Sequence, residues 1–220
     1  MTDTVLRGAR RDAYETTRPD VQALVPTGAR RILDLGCAGG QLGAALKQRQ
    51  GAEVVGIELD EDYAADARRR LDLVVQGDVA VALRDAAPEL GRFDCVIAAD
   101  VLEHLVDPWS ALRAAAGLLE SGGAVVVSLP NVQYLLVFWR LIRQGRWPRE
   151  PAGLFDATHL RWFTLRDARD LLEQAGLEVV EVSPQYWVFG WQLRVVRALA
   201  RTPLAPFLPG QYVLLGRRRG

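Results

Sequence analysis

In the stretch Leu33-Asp34-Leu35-Gly36-Cys37-Ala38-Gly39-Gly40, a mostly apolar run is followed directly by a cluster of glycines. Residues 31–35 are typical of a buried strand, and residues 41–50 are typical of a helix. The glycines between them therefore predict a tight strand-to-helix turn. Because glycine has no Cβ atom, the backbone of such a turn can approach a ligand closely. This turn is the first candidate for a ligand site.

Short apolar runs and longer amphipathic runs alternate around this turn. The apolar runs predict strands at residues 31–35, 53–58, 73–76, 93–99, 124–129, 177–182 and 211–216. The amphipathic runs predict helices at residues 41–50, 62–71, 108–119, 132–143 and 165–175, with a further helical stretch that ends at Leu83. Strands buried on both faces and separated by helices form parallel sheets with helices on both sides. The pattern thus indicates an α/β protein, whose ligands bind at the carboxyl ends of the strands.

The composition is that of a globular protein without a charge imbalance. The 220 residues contain 27 Lys plus Arg and 27 Asp plus Glu, so nucleic acid is not expected as a partner. The two cysteines, Cys37 and Cys95, have no spacing typical of a zinc site or a disulfide framework. No apolar run reaches the roughly 20 residues of a spanning helix, and the polar start at Met1 has no signal-peptide character. We expect one domain over residues 1–220 and a cytoplasmic location.

Three carboxylates lie at the ends of three successive predicted strands. Asp34 stands two residues before the first glycine, Glu58 ends the second strand and Asp78 follows the third. A carboxylate at Asp34 would repel a pyrophosphate, but it suits a ligand with an ammonium and a sulfonium group. Glu58 can accept hydrogen bonds from both hydroxyls of a ribose, and Asp78 is placed to accept one from an adenine amino group. Glu58 or Asp78 alone is more often a surface carboxylate, but the occurrence of acids at three successive strand ends predicts one site.

These motifs, with Leu129-Pro130-Asn131 at the end of the fifth strand, resemble class I S-adenosylmethionine-dependent methyltransferases over residues 14–183. The resemblance implies a Rossmann-like, doubly wound and mostly parallel seven-stranded sheet whose last strand is antiparallel. It also implies S-adenosylmethionine as the cofactor. Ala38 departs from the family, which usually has glycine there. The residues expected to bind the cofactor are Asp34, Gly36, Cys37, Gly39, Glu58, Leu59, Asp78, Val79 and Asp100.

Two further motifs each carry one of the two histidines. Asp100-Val101-Leu102-Glu103-His104 is similar to segments of ubiquinone-type O-methyltransferases and of sugar and natural-product relatives. Thr158-His159-Leu160-Arg161-Trp162-Phe163-Thr164 resembles a stretch of bacterial methyltransferases associated with surface-polysaccharide or antibiotic sugars. His104 and His159 are the candidate proton acceptors, because imidazole titrates near neutral pH. Alternatively, His104 packs against a helix start and His159 braces its loop.

Residues 132–163 are expected to form a lid over the acceptor. The segment has more aromatic side chains than a connecting loop requires, and such a lid would exclude water from an apolar or sugar-like acceptor. A local hydrophobic cluster or a dimer contact would account for the same residues. The candidate substrate-binding residues are Tyr14, Tyr134 and Arg161, the last for a carboxylate or phosphate.

The predicted function is transfer of a methyl group to a hydroxyl or amine of a small molecule, such as a sugar, a polysaccharide precursor or another metabolite. The donor already carries the activation, so the protein must align the reactants, exclude water and provide a proton acceptor. No metal is expected, because Asp100, Glu103 and His104 form no recognisable ligand set by spacing alone. A homodimer is compatible with this function, and no membrane contact is expected.

Two other functions fit parts of the sequence. A dehydrogenase that uses NAD would need Gly-x-Gly-x-x-Gly, but Ala38 and Gln41 break that pattern and Asp34 opposes a pyrophosphate. A cofactor-binding accessory protein or pseudo-enzyme would use the aromatic region 185–209 to hold a partner or a membrane. Within that region, Trp191 to Arg201 has the pattern of a membrane-surface helix or of a helix packed on the sheet.

Overall fold

The computed structural model describes residues 16–85, 87–187, 196 and 198–218. Its seven strands are β1 (Arg31–Leu35), β2 (Glu53–Glu58), β3 (Leu73–Gln76), β4 (Phe93–Ala99), β5 (Leu119–Pro130), β6 (Leu177–Gln185) and β7 (Gln211–Arg218). They form one sheet in the order β3-β2-β1-β4-β5-β7-β6. β1 pairs in parallel with β2 and β4, and the next strands outward, β3 and β5, continue the parallel pairing.

The antiparallel part of the sheet is confined to its last strand. β7 lies between β5 and β6 and runs antiparallel to both. The strand order reverses at β1, so the carboxyl ends of β1 and β4 flank the crevice in which doubly wound sheets bind their ligands. The predicted fold class, including the antiparallel last strand, is confirmed.

Helices cover both faces of this sheet. They are α1 (Pro19–Leu24), α2 (Gln41–Gln50), α3 (Glu61–Ala67), α4 (Val79–Asp85), α5 (Ala87–Leu90), α6 (Pro108–Gly117), α7 (Leu135–Gln144) and α8 (Leu165–Gln174). The short helices α1 and α5 were not predicted, because six and four residues are too few to show a helical period. None of the helices in the described ranges has the length and apolar character needed to cross a membrane. Most of the predicted helix from Trp191 to Arg201 lies outside the described residues.

The sheet separates two hydrophobic clusters. Leu33 and Leu35 of β1 pack with residues of α4, α6 and α8 on one face, whereas Ile32 packs with α1, α2 and α3 on the other. This division follows from the alternation of side chains along a strand. Cys37 and Cys95 are buried free thiols of the second cluster. β1 is therefore held from both sides, which fixes the turn that follows it.

The turn after β5 starts α7 later than the sequence predicts. The predicted helix begins at residue 132, whereas α7 begins at Leu135. The cause is Asn131, whose buried side chain donates hydrogen bonds to the carbonyls of Pro206 and Pro209 and accepts one from the Gln133 main chain. An asparagine that bonds the backbone in this way favours a turn over a helix.

Residues 132–163 form a small layer with an apolar cluster of its own. Val137 of α7 packs with Leu154 and Phe155, and the Trp147 ring lies 5.4 Å from that of Phe155. The main-chain N–H groups of residues 160 and 161 donate to the Glu103 carbonyl. The layer is thereby attached to the loop that follows β4, at the ligand-binding edge of the sheet.

Candidate active site

The turn after β1 is held in the left-handed region of backbone conformation. Gly36, Ala38 and Gly40 have φ angles of 66°, 45° and 81°. Residues with a Cβ atom are strained there by about 1–2 kcal/mol, which applies to Ala38. The Ala38 N–H donates a hydrogen bond to Glu58 Oε2 at 2.8 Å. The turn therefore points the Ala38 N–H at the end of β2, where it holds the Glu58 carboxylate in place.

A cavity of about 690 Å³, the main cavity, opens at the carboxyl ends of β1, β2, β3 and β4. Its lining includes the predicted site residues Gly36, Glu58, Leu59, Asp78, Val79, Asp100 and His104. Glu58 Oε1 accepts the Asp60 N–H at 2.9 Å, and Asp78 Oδ1 accepts the Val81 N–H at 3.0 Å. Both carboxylates are thus oriented by the backbone at the cavity wall, and burial raises the pKa of Glu58.

A smaller cavity of about 40 Å³ shares Gly36 with the main cavity and reaches Asp34 and Cys37. Asp34 is only 2% exposed, and burial together with the negative charge of Glu58 raises its pKa to about 7. Arg18 lines the same cavity, and its positive charge opposes this rise. A carboxylate beside a guanidinium complements a ligand group that carries both an ammonium and a carboxylate.

Asp100 lies where the two cavities meet. Its φ angle is 56°, a left-handed value that a non-glycine residue rarely adopts. The Arg18 guanidinium, the Ser128 hydroxyl and the Gln211 amide all donate hydrogen bonds to its carboxylate, the hydroxyl at 3.1 Å. Residues from before β1, from β5 and from β7 therefore fix this carboxylate together.

The two histidines lie against each other at the edge of the main cavity. Their ring centroids are 4.7 Å apart with an angle of 66° between the planes. His104 lines the main cavity, and His159 lines a second cavity of about 500 Å³ whose walls include Trp147 and Trp162. Burial lowers the pKa of His159, and the nearby His104 lowers it further. The fold thus joins the two predicted proton acceptors in one cluster between two cavities.

Glu103 lies beside this histidine pair. Its side chain is 1% exposed, and burial raises its pKa well above the ordinary value. Glu103 Oε1 is 3.9 Å from His159 Nε2. Glu103, His104 and His159 offer ligand atoms that all lie within 4.8 Å of one another, so the three could hold a metal ion. The expectation of no metal considered only the spacing of Asp100, Glu103 and His104, whereas His159 joins the cluster through the fold.

Comparison with known proteins identifies the family. A family model described as a methyltransferase domain matches residues 9–182, which is most of the chain. The chain belongs to this family. Its membership confirms the predicted class I S-adenosylmethionine-dependent methyltransferase and, with it, the predicted cofactor.

The most similar curated relatives carry the name ubiquinone biosynthesis O-methyltransferase. The protein from Ruegeria pomeroyi is 35% identical over 164 residues, which cover 71% of this chain and 63% of the relative. The protein from Xanthomonas axonopodis pv. citri is 41% identical over 111 residues, 49% of this chain and 46% of the relative. The chain thus spans less than two thirds of the length of these two relatives. A SAM-dependent methyltransferase structure from Archaeoglobus fulgidus, with 19% identity, matches 97% of this chain and 96% of its own with a TM-score of 0.65, which supports the fold.

Besides His159, three residues that the sequence assigns to the methyltransferase site do not line the main or the smaller cavity. Gly39 lies in the turn, and its carbonyl accepts a hydrogen bond from Arg70 Nη1 at 2.7 Å. The Tyr134 ring lies 5.7 Å from that of Trp187, in the layer that follows β5. The third is Arg161, and Tyr14 lies outside the described residues. Their roles in binding stay predictions.

The Arg161 side chain is engaged with the loop after β4. Its guanidinium donates hydrogen bonds to the carbonyls of Val106 and Leu160, the latter at 3.1 Å. It also lies 6.0 Å from the centre of the Trp109 ring. These contacts attach residues 158–164 to the start of α6. A role in binding an acceptor's carboxylate would require the guanidinium to leave them.

Sequence reasoning missed three polar residues of the methyltransferase site. Arg18, Ser128 and Gln211 all contact Asp100, but they come from distant parts of the chain. Ser128 was the easiest of the three to predict, because it is a polar residue within the apolar run of β5. The structure shows it fully buried, and a buried polar side chain needs a hydrogen-bond partner. Arg18 lies in a segment without a motif, so no sequence signal indicated its position.

Proposed function

We propose that this methyltransferase transfers the methyl group of S-adenosylmethionine to a hydroxyl or amine of a small molecule, such as a sugar, a polysaccharide precursor or another metabolite. The observation that carries the proposal is the main cavity, which joins Glu58, Asp78 and Asp100 to His104. The names of the curated relatives favour a hydroxyl over an amine as the acceptor group.

The cofactor would lie along the carboxyl ends of the strands, and a different charged residue would bind each of its groups. Asp34 would bind the ammonium group of the methionine part, and Arg18 would bind its carboxylate. Glu58 would accept hydrogen bonds from the ribose hydroxyls, and Asp78 would accept one from the adenine amino group. Main-chain N–H groups already orient Glu58 and Asp78, so binding would cost little side-chain entropy at these two residues.

The acceptor would approach the methyl group from the side of the cavity that contains His104. Methyl transfer from a sulfonium is an in-line displacement: the acceptor's lone pair forms the new bond while the carbon–sulfur bond breaks. A hydroxyl or amine must also lose a proton, and a ring nitrogen of His104 or His159 would accept it. Residues 132–163 bring His159 to this place, which supports their role as a lid over the acceptor.

The test begins with thermal melting of the full chain with saturating S-adenosylhomocysteine, and with NAD as the control. Ligand at about 100 times its Kd adds roughly 2.7 kcal/mol of stability, which raises Tm by several degrees. Transfer of a labelled methyl group is then measured with panels of catechols, sugars and amines. A shift with S-adenosylhomocysteine alone and label in a hydroxyl or amine are expected. Absence of the shift, or label in no small molecule, would contradict the proposal.

A second candidate is an accessory protein that binds the cofactor and a partner but transfers no methyl group. The observation in its favour is the apolar outer face of α7, where Trp139 and Ile142 are 58% and 80% exposed. Residues 188–195 and 197 of the region 185–209, from which this function was inferred, lie outside the described residues. A cofactor-dependent shift in Tm without methyl transfer to any tested acceptor would favour this candidate.

A further inference from the structure

Glu103 is a buried carboxyl group for which the described residues supply no hydrogen-bond donor. Only 1% of it is exposed, and neither carboxylate oxygen accepts a hydrogen bond from the described residues. Burying an ionised carboxylate is unfavourable unless a counter-charge, hydrogen bonds or a metal ion compensates for its lost hydration. The His159 Nε2 atom is 3.9 Å from Glu103 Oε1, which is too far for a hydrogen bond.

That distance is instead typical of two ligands on one metal ion. Nitrogen and oxygen ligands lie about 2.1 Å from a transition metal, so two neighbouring ligands lie roughly 3–4 Å apart. We propose that Glu103, His104 and His159 bind a divalent transition-metal ion of the zinc or manganese type at the edge of the main cavity. One carboxylate and two imidazoles form a ligand set suited to such metals.

A hydrogen bond with Thr158 orients the His104 imidazole as a ligand. Thr158 Oγ1 donates its single proton to Asp156 Oδ1 at 2.6 Å, so at 3.0 Å it accepts the Nδ1–H of His104. This tautomer leaves the lone pair of His104 on Nε2. His159 Nε2 faces Glu103 Oε1 at 3.9 Å. Histidines that bind metals are commonly held in this way through their other ring nitrogen.

The position of the cluster gives the ion a role in the proposed methyl transfer. His104 and Thr158 line the main cavity, so coordination positions not taken by protein would face the acceptor. A divalent ion with one carboxylate ligand keeps a net charge of +1 and attracts the oxygen of an acceptor hydroxyl. Coordination would orient that hydroxyl and lower its pKa, so that it would release its proton to solvent water at the cavity before its oxygen attacks the methyl group. With the ion bound, the two imidazoles would serve as ligands in place of the proton-accepting role described above. This role rests on the proposed function, whereas binding of the ion does not.

The experiment measures metal binding by the full chain without turnover. Protein stripped with EDTA and exchanged into chelator-free buffer is loaded with Zn²⁺ and desalted, and bound zinc is measured by mass spectrometry. Titration with Mn²⁺, followed by electron paramagnetic resonance, gives the Kd. We expect one ion per chain for the wild type. Glu103→Gln and His159→Ala should each raise the Kd more than tenfold, while the exposed-residue control Glu173→Gln should leave it unchanged.

Thermal melting with S-adenosylhomocysteine verifies that each variant is folded and separates the two proposals. Wild-type protein that binds neither ion, or folded Glu103→Gln and His159→Ala variants that bind Mn²⁺ as tightly as the wild type, would overturn the metal site. Metal binding by a wild-type chain that fails to bind S-adenosylhomocysteine would leave the metal site standing and would contradict the proposed function instead.

Discussion

At the scale of single residues, Asp34 is buried where its ionised form is unfavourable, yet the proposed function needs that form to bind the ammonium group of the cofactor. Burial and the charge of Glu58 raise its pKa to about 7, so its ionised form is costly in the absence of ligand. An ammonium group of the ligand would favour the ionised form. Cofactor binding should therefore require the carboxylate, and protonation should compete with it.

This competition predicts a pH dependence of cofactor affinity. The Kd of S-adenosylhomocysteine should rise about tenfold for each pH unit below about 7, because an increasing fraction of Asp34 is protonated. Calorimetric titration between pH 5.5 and 8 measures this slope. In Asp34→Asn the affinity should be lower at pH 8 and the slope below pH 7 absent. The same slope in the variant would assign the titration to another group.

The raised pKa of Asp34 also predicts a pH dependence of stability. Its direction is opposite to that of cofactor affinity. The pKa of Asp34 in the folded state, about 7, lies above the unfolded value of about 3.9. The stability that the protonated form contributes is therefore complete below the unfolded pKa and is lost as the pH rises through about 7. At pH 8, Asp34→Asn should raise the free energy of unfolding of the ligand-free protein, as measured by urea denaturation. A lower value at that pH would show that the carboxylate is paired in the folded protein.

Ala38 provides a second prediction at this scale. Its φ of 45° strains a residue with a Cβ atom, so Ala38→Gly should relieve about 1–2 kcal/mol of strain against about 0.5–1 kcal/mol of added chain entropy. The expected result is a gain of roughly 0.5–1 kcal/mol in urea denaturation. The matched control is Ala44→Gly within α2, where glycine should cost about 0.5–1 kcal/mol. Equal losses in both variants would contradict the strain.

At the scale of elements, the sequence predicts most of the sheet and fails where short-range periodicity ends. β1, β2, β3 and β4 have the predicted bounds, because each is an apolar run bordered by charged or glycine residues. β5 begins at Leu119 rather than at residue 124, since its first residues include Glu120 and two glycines, which hide a strand. The start of α7 depends on the contacts of Asn131 with Pro206 and Pro209, which no local pattern contains.

The start of α8 gives a prediction at this scale. Thr164 accepts the Asp167 N–H through its hydroxyl, while the Asp167 carboxylate accepts the Thr164 N–H, as in a capping box. Thr164→Ala should therefore lower the free energy of unfolding by about 1 kcal/mol without changing the Kd of S-adenosylhomocysteine. The control Ser121→Ala, at an exposed position of β5, should leave both unchanged. No loss in Thr164→Ala would show that tertiary packing alone holds the helix start.

At the scale of the whole molecule, the site is predictable where it follows from strand order and hidden where it depends on distant contacts. Asp34 is the penultimate residue of β1, Glu58 ends β2 and Asp78 follows β3, so the topology alone brings them to one edge. Arg18 and Gln211 reach Asp100 from opposite ends of the described chain. His159 meets Glu103 only because the layer after β5 folds back onto the loop after β4. Such contacts form only in the folded protein, and no periodic pattern in the sequence predicts them.

Arg18 gives the prediction that depends on this assembly. It lines the smaller cavity with Asp34 and also holds Asp100, so it would serve both the ligand's carboxylate and the junction of the two cavities. We expect Arg18→Gln to weaken S-adenosylhomocysteine at least tenfold, because a charge-assisted hydrogen bond contributes about 1.5–3 kcal/mol. 5′-Methylthioadenosine, which lacks the amino acid part, should bind the variant and the wild type equally in the same calorimetric titration. If both ligands weaken together, Arg18 acts by positioning Asp100 rather than by binding the carboxylate, and if neither weakens, the methionine part lies elsewhere.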